Sequence, residues 1–254
     1  MAKLFISTPC YDAMVTMQYT ISILNLLNLL KEKDIEFVID FIGNESLIPR
    51  ARNKSLFNFK KSGFTHMLFI DSDLQFPAQA VIDLIEFDKD VACCTYPKKG
   101  FNWNRFFYSV NVEKDSKESP ESRGLDFAMN LESETDGKPI KKDKFVKAKH
   151  ASTGFMMIKK EIVDKLYEKH EELQIISDDL SQNNELMVGL FCCMIKNKQY
   201  LSEDYSFCER VTDIGGEVWI NVEHNLSHIG KYIFNGDIKN RDKLLRTREE
   251  RSFY

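Results

Sequence analysis

The stretch that decides the fold is 67–73, with the sequence MLFIDSD. Four apolar residues run directly into Asp71 and Asp73, and Pro77 follows shortly after. A short apolar run that ends in turn residues predicts a buried strand. Carboxylates are costly to bury without partners, so we expect both at the carboxyl end of this strand. Open α/β sheets bind their ligands at that edge.

Strand-like and helix-like patterns alternate around this stretch. The strand-like segments before residue 100 are 3–7, 36–42, 67–70 and 90–96. The helix-like segments between them begin near residues 15, 49 and 77. This alternation predicts an α/β fold of Rossmann type, with a mostly parallel central sheet flanked by helices. At this length we expect a single domain over residues 1–254.

The pattern is less regular after residue 100. A polar, charged stretch at 114–123 (KDSKESPESR) predicts a flexible surface loop. A strand is predicted at 145–150 and a helix at 160–170, followed by an apolar, buried segment of open class at 183–193. A helix at 205–212, a strand at 217–222, a loop at 224–230 and a charged, solvated helix at 239–251 complete the prediction.

The composition limits the possible classes of protein. With 43% hydrophobic residues, the 254-residue chain can form one sizeable core. A formal net charge of -4 gives no general electrostatic attraction for nucleic acid. The six cysteines form no C-x-x-C pair, so we expect reduced thiols in a cytoplasmic protein. The longest apolar helix candidate, 15–30, is too short to predict a transmembrane segment.

The spacing of Asp71 and Asp73 suggests a metal site. In an extended segment, residues i and i+2 point the same way, so both carboxylates can face one cleft. Mg²⁺ and Mn²⁺ prefer oxygen ligands and keep positions open for substrate phosphates. A surface turn or a helix cap is the alternative. The apolar strand directly before the pair leads us to favour the metal site.

Three further groups carry suitable chemistry. Arg52 is either a phosphate ligand or part of an exposed basic helix face. His228 is a candidate metal ligand, and Lys231 nearby could bind a phosphate. Glu203 and Asp204 open a predicted helix, where acids are favoured in the first turn. Either of them could instead be a general base for an acceptor hydroxyl.

Six short features resemble, in the same order, those of nucleotide-sugar-dependent glycosyltransferases with the GT-A fold. They are TPCYD at 8–12, ARN at 51–53, MLFIDSD at 67–73, TGFMMI at 153–158, EDYSF at 203–207 and the late His228. Each motif is short, and their shared order over residues 3–235 carries the resemblance. It implies a metal-dependent transferase that moves a sugar from a nucleotide-diphosphate donor, of UDP or GDP type, to a glycan or other hydroxyl acceptor.

The resemblance implies roles for named residues. The expected ligands of Mn²⁺ or Mg²⁺ are Asp73, Asp71 and His228. The expected donor-binding residues are Pro9, Tyr11, Arg52, Asn53, Asp71 and Asp73, together with Lys231 as the candidate phosphate ligand named above. The expected acceptor-side residues are Thr153, Gly154 and Phe155. Asp204 would be the catalytic base, with Glu203 as the second choice. The domain would divide into a nucleotide-binding half (1–100), an acceptor-side half (101–236) and a charged tail (237–254).

Several alternatives stay open. GNES at 43–46 stands where many inverting members carry an acidic residue that reads the base. We expect inversion, although a more distant resemblance to mannan-polymerase-type transferases keeps retention open. A haloacid-dehalogenase-type phosphohydrolase would use Asp71 as nucleophile, but Gln75 stands where its motif expects Thr or Val. A nucleotidyltransferase and a non-catalytic nucleotide-sugar-binding module are further possibilities.

An aromatic cluster follows the strand-like segments of the first half. It consists of Phe101, Trp103, Phe106, Phe107 and Tyr108. These rings could form a platform for a sugar acceptor, or they could belong to the core or to a protein contact.

Overall fold

A nine-stranded sheet forms the centre of the computed structural model, which describes residues 2–112, 119–176 and 185–239. The strands are β1 (Lys3–Cys10), β2 (Glu36–Gly43), β3 (His66–Ile70), β4 (Leu74–Gln75), β5 (Val91–Cys94), β6 (Pro97–Phe101), β7 (Leu125–Phe127), β8 (Met129–Leu131), β9 (Lys141–Lys142), β10 (Phe145–Ala151), β11 (Phe155–Lys159), β12 (Gln174–Ile176), β13 (Leu186–Val188), β14 (Met194–Lys196), β15 (Gln199–Leu201), β16 (Val218–Asn221), β17 (Ser227–Ile229) and β18 (Ile233–Asn235). The helices are α1 (Met17–Glu32), α2 (Ile48–Lys61), α3 (Ala78–Phe87), α4 (Trp103–Val112), α5 (Lys160–Lys169) and α6 (Glu203–Asp213), with short 3₁₀ turns at Ser122–Gly124 and Glu171–Leu173.

The central sheet has the strand order β2-β1-β3-β11-β5-β16-β10-β8, with β9 beside β10. β1 pairs in parallel with β2 and β3, and β5 pairs in parallel with β16. β11 and β10 run antiparallel to their neighbours, so most strands of the sheet point one way. The predicted class, a single α/β domain with a mostly parallel sheet flanked by helices, is confirmed.

Strand β3 is buried on both faces, which explains its unbroken apolar sequence. Met67 and Phe69 pack on one face, against residues of α2, α5 and α6. Leu68 and Ile70 pack on the other face, against residues of α1 and α3. Burial of each such side chain contributes about 2 kcal/mol, so the strand is strongly held where Asp71 leaves it.

Two local predictions can be compared with the structure. Helix α2 begins at Ile48 with Pro49 in its first turn, as predicted. The predicted loop at 224–230 is wrong in part, because residues 227–229 form β17 between β4 and β18. Ser227 and His228 pair with Gln75 and Leu74, a partner far along the chain that local sequence does not reveal.

Other predictions fall partly or wholly outside the described residues. These are the predicted loop at 114–123, of which the structure describes only 119–123, the predicted apolar segment at 183–193, of which it describes only 185–193, and the predicted helix at 239–251, of which it describes only residue 239. All six cysteines are free. Within the described ranges, no helix has both the length and the apolar character needed to cross a membrane.

Helix α6 is fixed to the sheet by a buried carboxylate. Glu209 Oε1 accepts a hydrogen bond from His150 Nε2 at 2.7 Å, while Lys196 Nζ lies 2.6 Å from Oε2. Lys149 Nζ lies 3.1 Å from Oε1. Burial, the largest single influence, would raise the pKa of Glu209. The lysines and His150 outweigh it and lower the pKa to about 2.

We predict that Glu209→Gln destabilises the fold at neutral pH, by about 3 kcal/mol at most. Because the folded pKa lies below the ordinary 4.5, this stabilisation is present above that value and is lost as the pH falls toward 2. Urea unfolding of wild type and Glu209→Gln should therefore give free energies that converge by about 1 kcal/mol between pH 7 and about pH 3.5. A difference independent of pH would contradict the charged network.

Candidate active site

The two aspartates after β3 lie in a turn that leads into β4. The Asp71 N–H donates to the Gly154 carbonyl at 2.8 Å, and the Ile229 N–H donates to the Asp73 carbonyl at 2.8 Å. The segment is a turn instead of the extended chain that the i, i+2 spacing assumed. Both side chains nevertheless line one cavity, because the backbone of Gly154, directly before β11, and of Ile229 in β17 holds the turn on both sides.

This cavity has a volume of about 380 Å³. It opens beyond the carboxyl ends of β1, β2, β3 and β5, the edge where α/β sheets bind ligands. Its lining consists of Pro9, Tyr11, Glu45, Ser46, Ile48, Arg52, Asp71, Ser72, Asp73, Tyr96, Thr153, Glu203, Asp204 and His228. Residues from both ends of the chain therefore meet at a single site.

Asp73 and His228 face each other across this cavity. His228 Nδ1 lies 2.9 Å from the Pro97 carbonyl, which can only accept, so Nδ1 carries the proton. In neutral His228 the lone pair of Nε2 is then directed to Asp73 Oδ1, 3.4 Å away. Two facing acceptors repel each other unless a proton or a cation lies between them. Metal-binding histidines in proteins are oriented in the same way, because the ring nitrogen that does not bind the metal donates a hydrogen bond to a carbonyl or a carboxylate.

The charge on Asp73 is stabilised by its neighbours. Burial, the largest influence, would raise its pKa, but Lys99 and a protonated His228, whose Nε2 then donates to Oδ1, outweigh burial and lower it. The Lys99 ammonium contacts Asp73 Oδ2 directly. One of the two carboxylate oxygens of Asp73 is therefore already paired with a cation.

Arg52 is buried beneath the cavity and incompletely paired. Its Nη2 donates to Asp71 Oδ1 at 3.0 Å, its Nε lies 3.7 Å from Glu203 Oε1, and its guanidinium stacks over Phe69. Its Nε and Nη1 have no hydrogen-bond partner within the part of the chain that the structure describes. Unpaired donors of this kind are costly, and the guanidinium places a positive charge beneath the cavity that favours an anionic ligand.

Tyr96 and Gly154 hold Asp71 from its other side. The Tyr96 hydroxyl lies 3.5 Å from Asp71 Oδ2 and accepts the Gly154 N–H at 3.1 Å. A Cβ on Gly154 would come within 2.1 Å of the Tyr96 hydroxyl and 2.3 Å of Asp71 Oδ2. Glycine is thus required here by close approach. Neighbouring Thr153 lines the cavity, and its buried hydroxyl has no partner among the described residues.

Glu203 and Asp204 reach the cavity from the first turn of α6. Burial, the largest influence, raises the pKa of Glu203 above its ordinary value, although Arg52 opposes it. Asp204 Oδ1 accepts the Tyr205 N–H at 2.8 Å and the Ser202 hydroxyl. The two acids therefore differ in environment. Glu203 lies beside the buried guanidinium of Arg52, whereas Asp204 is fixed by the uncharged donors of Ser202 and Tyr205.

The remaining predicted residues divide into two groups. Pro9 and Tyr11 line the cavity, and Tyr11 is 70% exposed. Asn53 instead accepts the Phe191 N–H at 2.8 Å and fixes the segment after β13. Phe155 is buried against Phe76. Gly154 does not line the cavity itself but packs against Tyr96 and Asp71, which do. Lys231 is exposed in the turn between β17 and β18. Asn53, Phe155 and Lys231 are therefore not brought to the cavity.

Several site residues were not predicted from the sequence. They are Glu45, Ser46, Ile48, Ser72 and Tyr96 in the lining, and Lys99 beside it. Glu45 holds Arg50 through two hydrogen bonds at 2.5 and 2.8 Å. The GNES segment at 43–46 was a usable signal, because it follows a parallel strand whose carboxyl end reaches the cavity. Tyr96 and Lys99 gave no comparable signal.

The aromatic cluster lies at the surface. Trp103, Phe107 and Tyr108 are exposed, so the cluster is only partly core. A second cavity of about 400 Å³ is lined by Phe101, Trp103, Phe106, Pro120, Glu121, Tyr232 and Phe234. Its role as an acceptor platform stays a prediction.

The donors at the first cavity suit a divalent cation with substrate ligands. In the described ranges, no three His, Cys, Asp or Glu side chains form a ready-made metal site. Mg²⁺ and Mn²⁺ sites for phosphates, however, need only one or two carboxylates, with other positions left for water and substrate. The facing acceptors of Asp73 and His228 fit that requirement.

Comparisons with known proteins give remote structural likenesses. No family model matches the chain, and none of the curated proteins matches it. It is similar to a crystal structure of GalNAc-T7 with UDP, GalNAc and Mn2+, at 9% identity and a TM-score of 0.46, over 91% of this chain and 44% of that one. It is also similar to the inositol-1-phosphate CTP transferase from T. maritima, at 8% identity and a TM-score of 0.40, over 90% and 89%. The chain spans less than half of the GalNAc-T7 chain, and similarity this low assigns neither a family nor an activity.

Proposed function

We propose that this chain is a metal-dependent glycosyltransferase that moves a sugar from a nucleoside-diphosphate donor to a hydroxyl acceptor. The observation that carries the proposal is the joint placement of Asp73, His228 and the incompletely paired Arg52 in one cavity. A metal-bound diphosphate needs both elements: ligands for the cation and a positive charge near the phosphate oxygens.

The charge of the cavity supports a cation-dependent ligand. Its lining holds five carboxylates, those of Glu45, Asp71, Asp73, Glu203 and Asp204. Arg52 is the one guanidinium among these described lining residues. An anionic diphosphate would be repelled from such a surface unless a cation accompanied it. Mn²⁺ or Mg²⁺, held by Asp73 and His228, would stabilise the charge that develops on the leaving diphosphate.

The other residues take the following proposed roles. Arg52 attracts the diphosphate with its positive charge from beneath the cavity, and Asp71 orients its guanidinium. Pro9 and the exposed ring of Tyr11 border the base, Tyr11 by stacking. Thr153 offers its unpartnered hydroxyl on the acceptor side. Asp204 removes the acceptor proton, with inversion as the proposed outcome and Glu203 as the second candidate base.

The phosphohydrolase alternative receives less support from the site. A nucleophilic Asp71 would need an oxygen free to attack, but Oδ1 accepts from Arg52 and Oδ2 lies beside Tyr96. Hydrolysis of p-nitrophenyl phosphate that is abolished by Asp71→Asn would favour it nonetheless. A binding module without turnover predicts nucleotide binding but no hydrolysis of the donor when acceptor is absent.

We predict that Asp73→Ala abolishes the effect of Mn²⁺ on nucleotide binding. Wild type should be stabilised in a thermal-shift screen by a UDP- or GDP-sugar only with Mn²⁺ or Mg²⁺ present. The variant should bind the same ligand roughly 100-fold more weakly, because the metal bridges protein and diphosphate. Asp136→Ala, at an exposed aspartate in the β8–β9 turn, is the matched control. Metal-dependent binding that survives in Asp73→Ala would place the site elsewhere.

A further inference from the structure

Lys99 is the charged residue closest to the Asp73–His228 pair that the proposed chemistry does not use. It lies on β6, two residues after Pro97, whose carbonyl fixes the ring of His228. Its ammonium contacts Asp73 Oδ2, while His228 faces Oδ1. Asp73 is therefore held between an imidazole and an ammonium.

The Lys99 side chain passes close to Gly230. A Cβ built on Gly230 would lie 3.3 Å from Lys99 Cδ and 3.7 Å from Cε. His228 and Gly230 are two residues apart, so the segment that orients the histidine also leaves room for the lysine stem. Lys99 is 37% exposed and unbranched, so its head can move without any change in the backbone.

A divalent cation held between Asp73 Oδ1 and His228 would lie close to the Lys99 ammonium on Asp73 Oδ2. The two cations would compete for the charge of one carboxylate and repel each other, which favours release of Lys99 when the metal binds. Any phosphate bound to that cation would, however, lie within reach of the displaced ammonium. Lysine is a common phosphate ligand in proteins because it acts as a mobile point charge.

We propose that Lys99 is a tethered cation that holds Asp73 in the absence of metal, yields it to Mn²⁺ or Mg²⁺, and then binds the diphosphate. This inference rests on the proposed function, since it assigns a residue to the same donor site. It predicts effects of opposite sign on metal binding and on diphosphate binding, which a merely structural lysine would not produce.

The test is Lys99→Met, which keeps the length of the stem and removes the charge. Mn²⁺ alone, measured by electron paramagnetic resonance or calorimetry, should bind the variant about tenfold more tightly than wild type. UDP and GDP, titrated at saturating Mn²⁺, should bind it about tenfold more weakly. Lys99→Arg should restore both values toward wild type, because it restores the charge.

Lys98→Met is the matched control, since it removes the same charge from the adjacent, exposed residue of β6. It should leave both affinities unchanged. Unchanged or weaker Mn²⁺ binding by Lys99→Met, with wild type still binding Mn²⁺ through Asp73, would overturn the inference but not the proposed function. If wild type and Asp73→Ala bind Mn²⁺ equally, the metal site itself fails and the inference with it. Tighter Mn²⁺ binding with unchanged UDP and GDP affinity would refute the transfer of Lys99 to the diphosphate.

Discussion

Arg52→Met is expected to weaken nucleoside-diphosphate binding about 100-fold and to destabilise the fold by about 3 kcal/mol. The guanidinium donates to Asp71 and lies close to Glu203, with its side chain only 4% exposed. Its removal leaves Asp71 and Glu203 without the cation that they share, and because the position is buried, water screens their charges poorly. It also removes the positive charge proposed to attract the diphosphate.

The loss of stability should depend on pH. Burial raises the pKa of Glu203 above its ordinary 4.5, and in wild type Arg52 opposes this effect. Without Arg52 the pKa should rise further, so the folded variant loses stability as the pH increases through that higher value. Urea unfolding at about pH 4 and pH 8 should therefore show a larger difference between variant and wild type at pH 8.

Two variants separate binding from folding. Arg210→Met removes another buried arginine, whose Nη1 donates to the carbonyls of Leu190 and Cys192 at 2.8 and 2.9 Å. It should cost stability without weakening UDP or GDP binding by the folded protein. Arg52→Lys keeps the charge but loses the planar fork, so it should recover part of the stability and little of the affinity. Wild-type affinity in Arg52→Met would exclude Arg52 from the donor site.

The prediction of β3 and its carboxylates succeeded because local sequence and tertiary environment agree there. A strand buried on both faces needs consecutive apolar residues, and its end can be read from the first charged side chain. The pairing of His228 with Asp73 at a metal site came from the family resemblance instead, and the sequence did not predict β17. β17 pairs with β4 across a sequence separation of more than 150 residues. Both strands have only two or three residues, which is too short to give a recognisable strand pattern in the sequence.

Asn53 shows why a motif does not place each of its residues. Arg52 and Asn53 are consecutive on α2, so their side chains point about 100° apart around the helix axis. Arg52 turns toward the cavity, whereas Asn53 turns toward the backbone of Phe191. Lys99 is the converse case. Its sequence context, YPKKG at 96–100, is typical of a charged turn, and only the course of β6 past Gly230 brings its ammonium to Asp73.

Asp204→Asn is expected to lower the turnover of the proposed transferase by about 10²- to 10⁴-fold, the usual contribution of a positioned general base. The Tyr205 N–H and the Ser202 hydroxyl fix Oδ1 of Asp204 at the start of α6. Asparagine keeps this shape and its acceptor oxygen but cannot take a proton. The dissociation constant of the donor should therefore change little, while kcat for sugar transfer falls.

Glu203→Gln distinguishes the two candidate bases. If Glu203 were the base, activity would fall as the pH drops through its pKa, which burial raises above 4.5, and the variant would lose this limb of the profile. With Asp204 as the base, Glu203→Gln should instead act mainly on donor binding, through Arg52. Asp213→Asn, at the other end of α6 and paired with Lys196, is the matched control with wild-type kcat expected. Full turnover in both Asp204→Asn and Glu203→Gln would mean that neither carboxylate deprotonates the acceptor, and a base from outside α6 would be required.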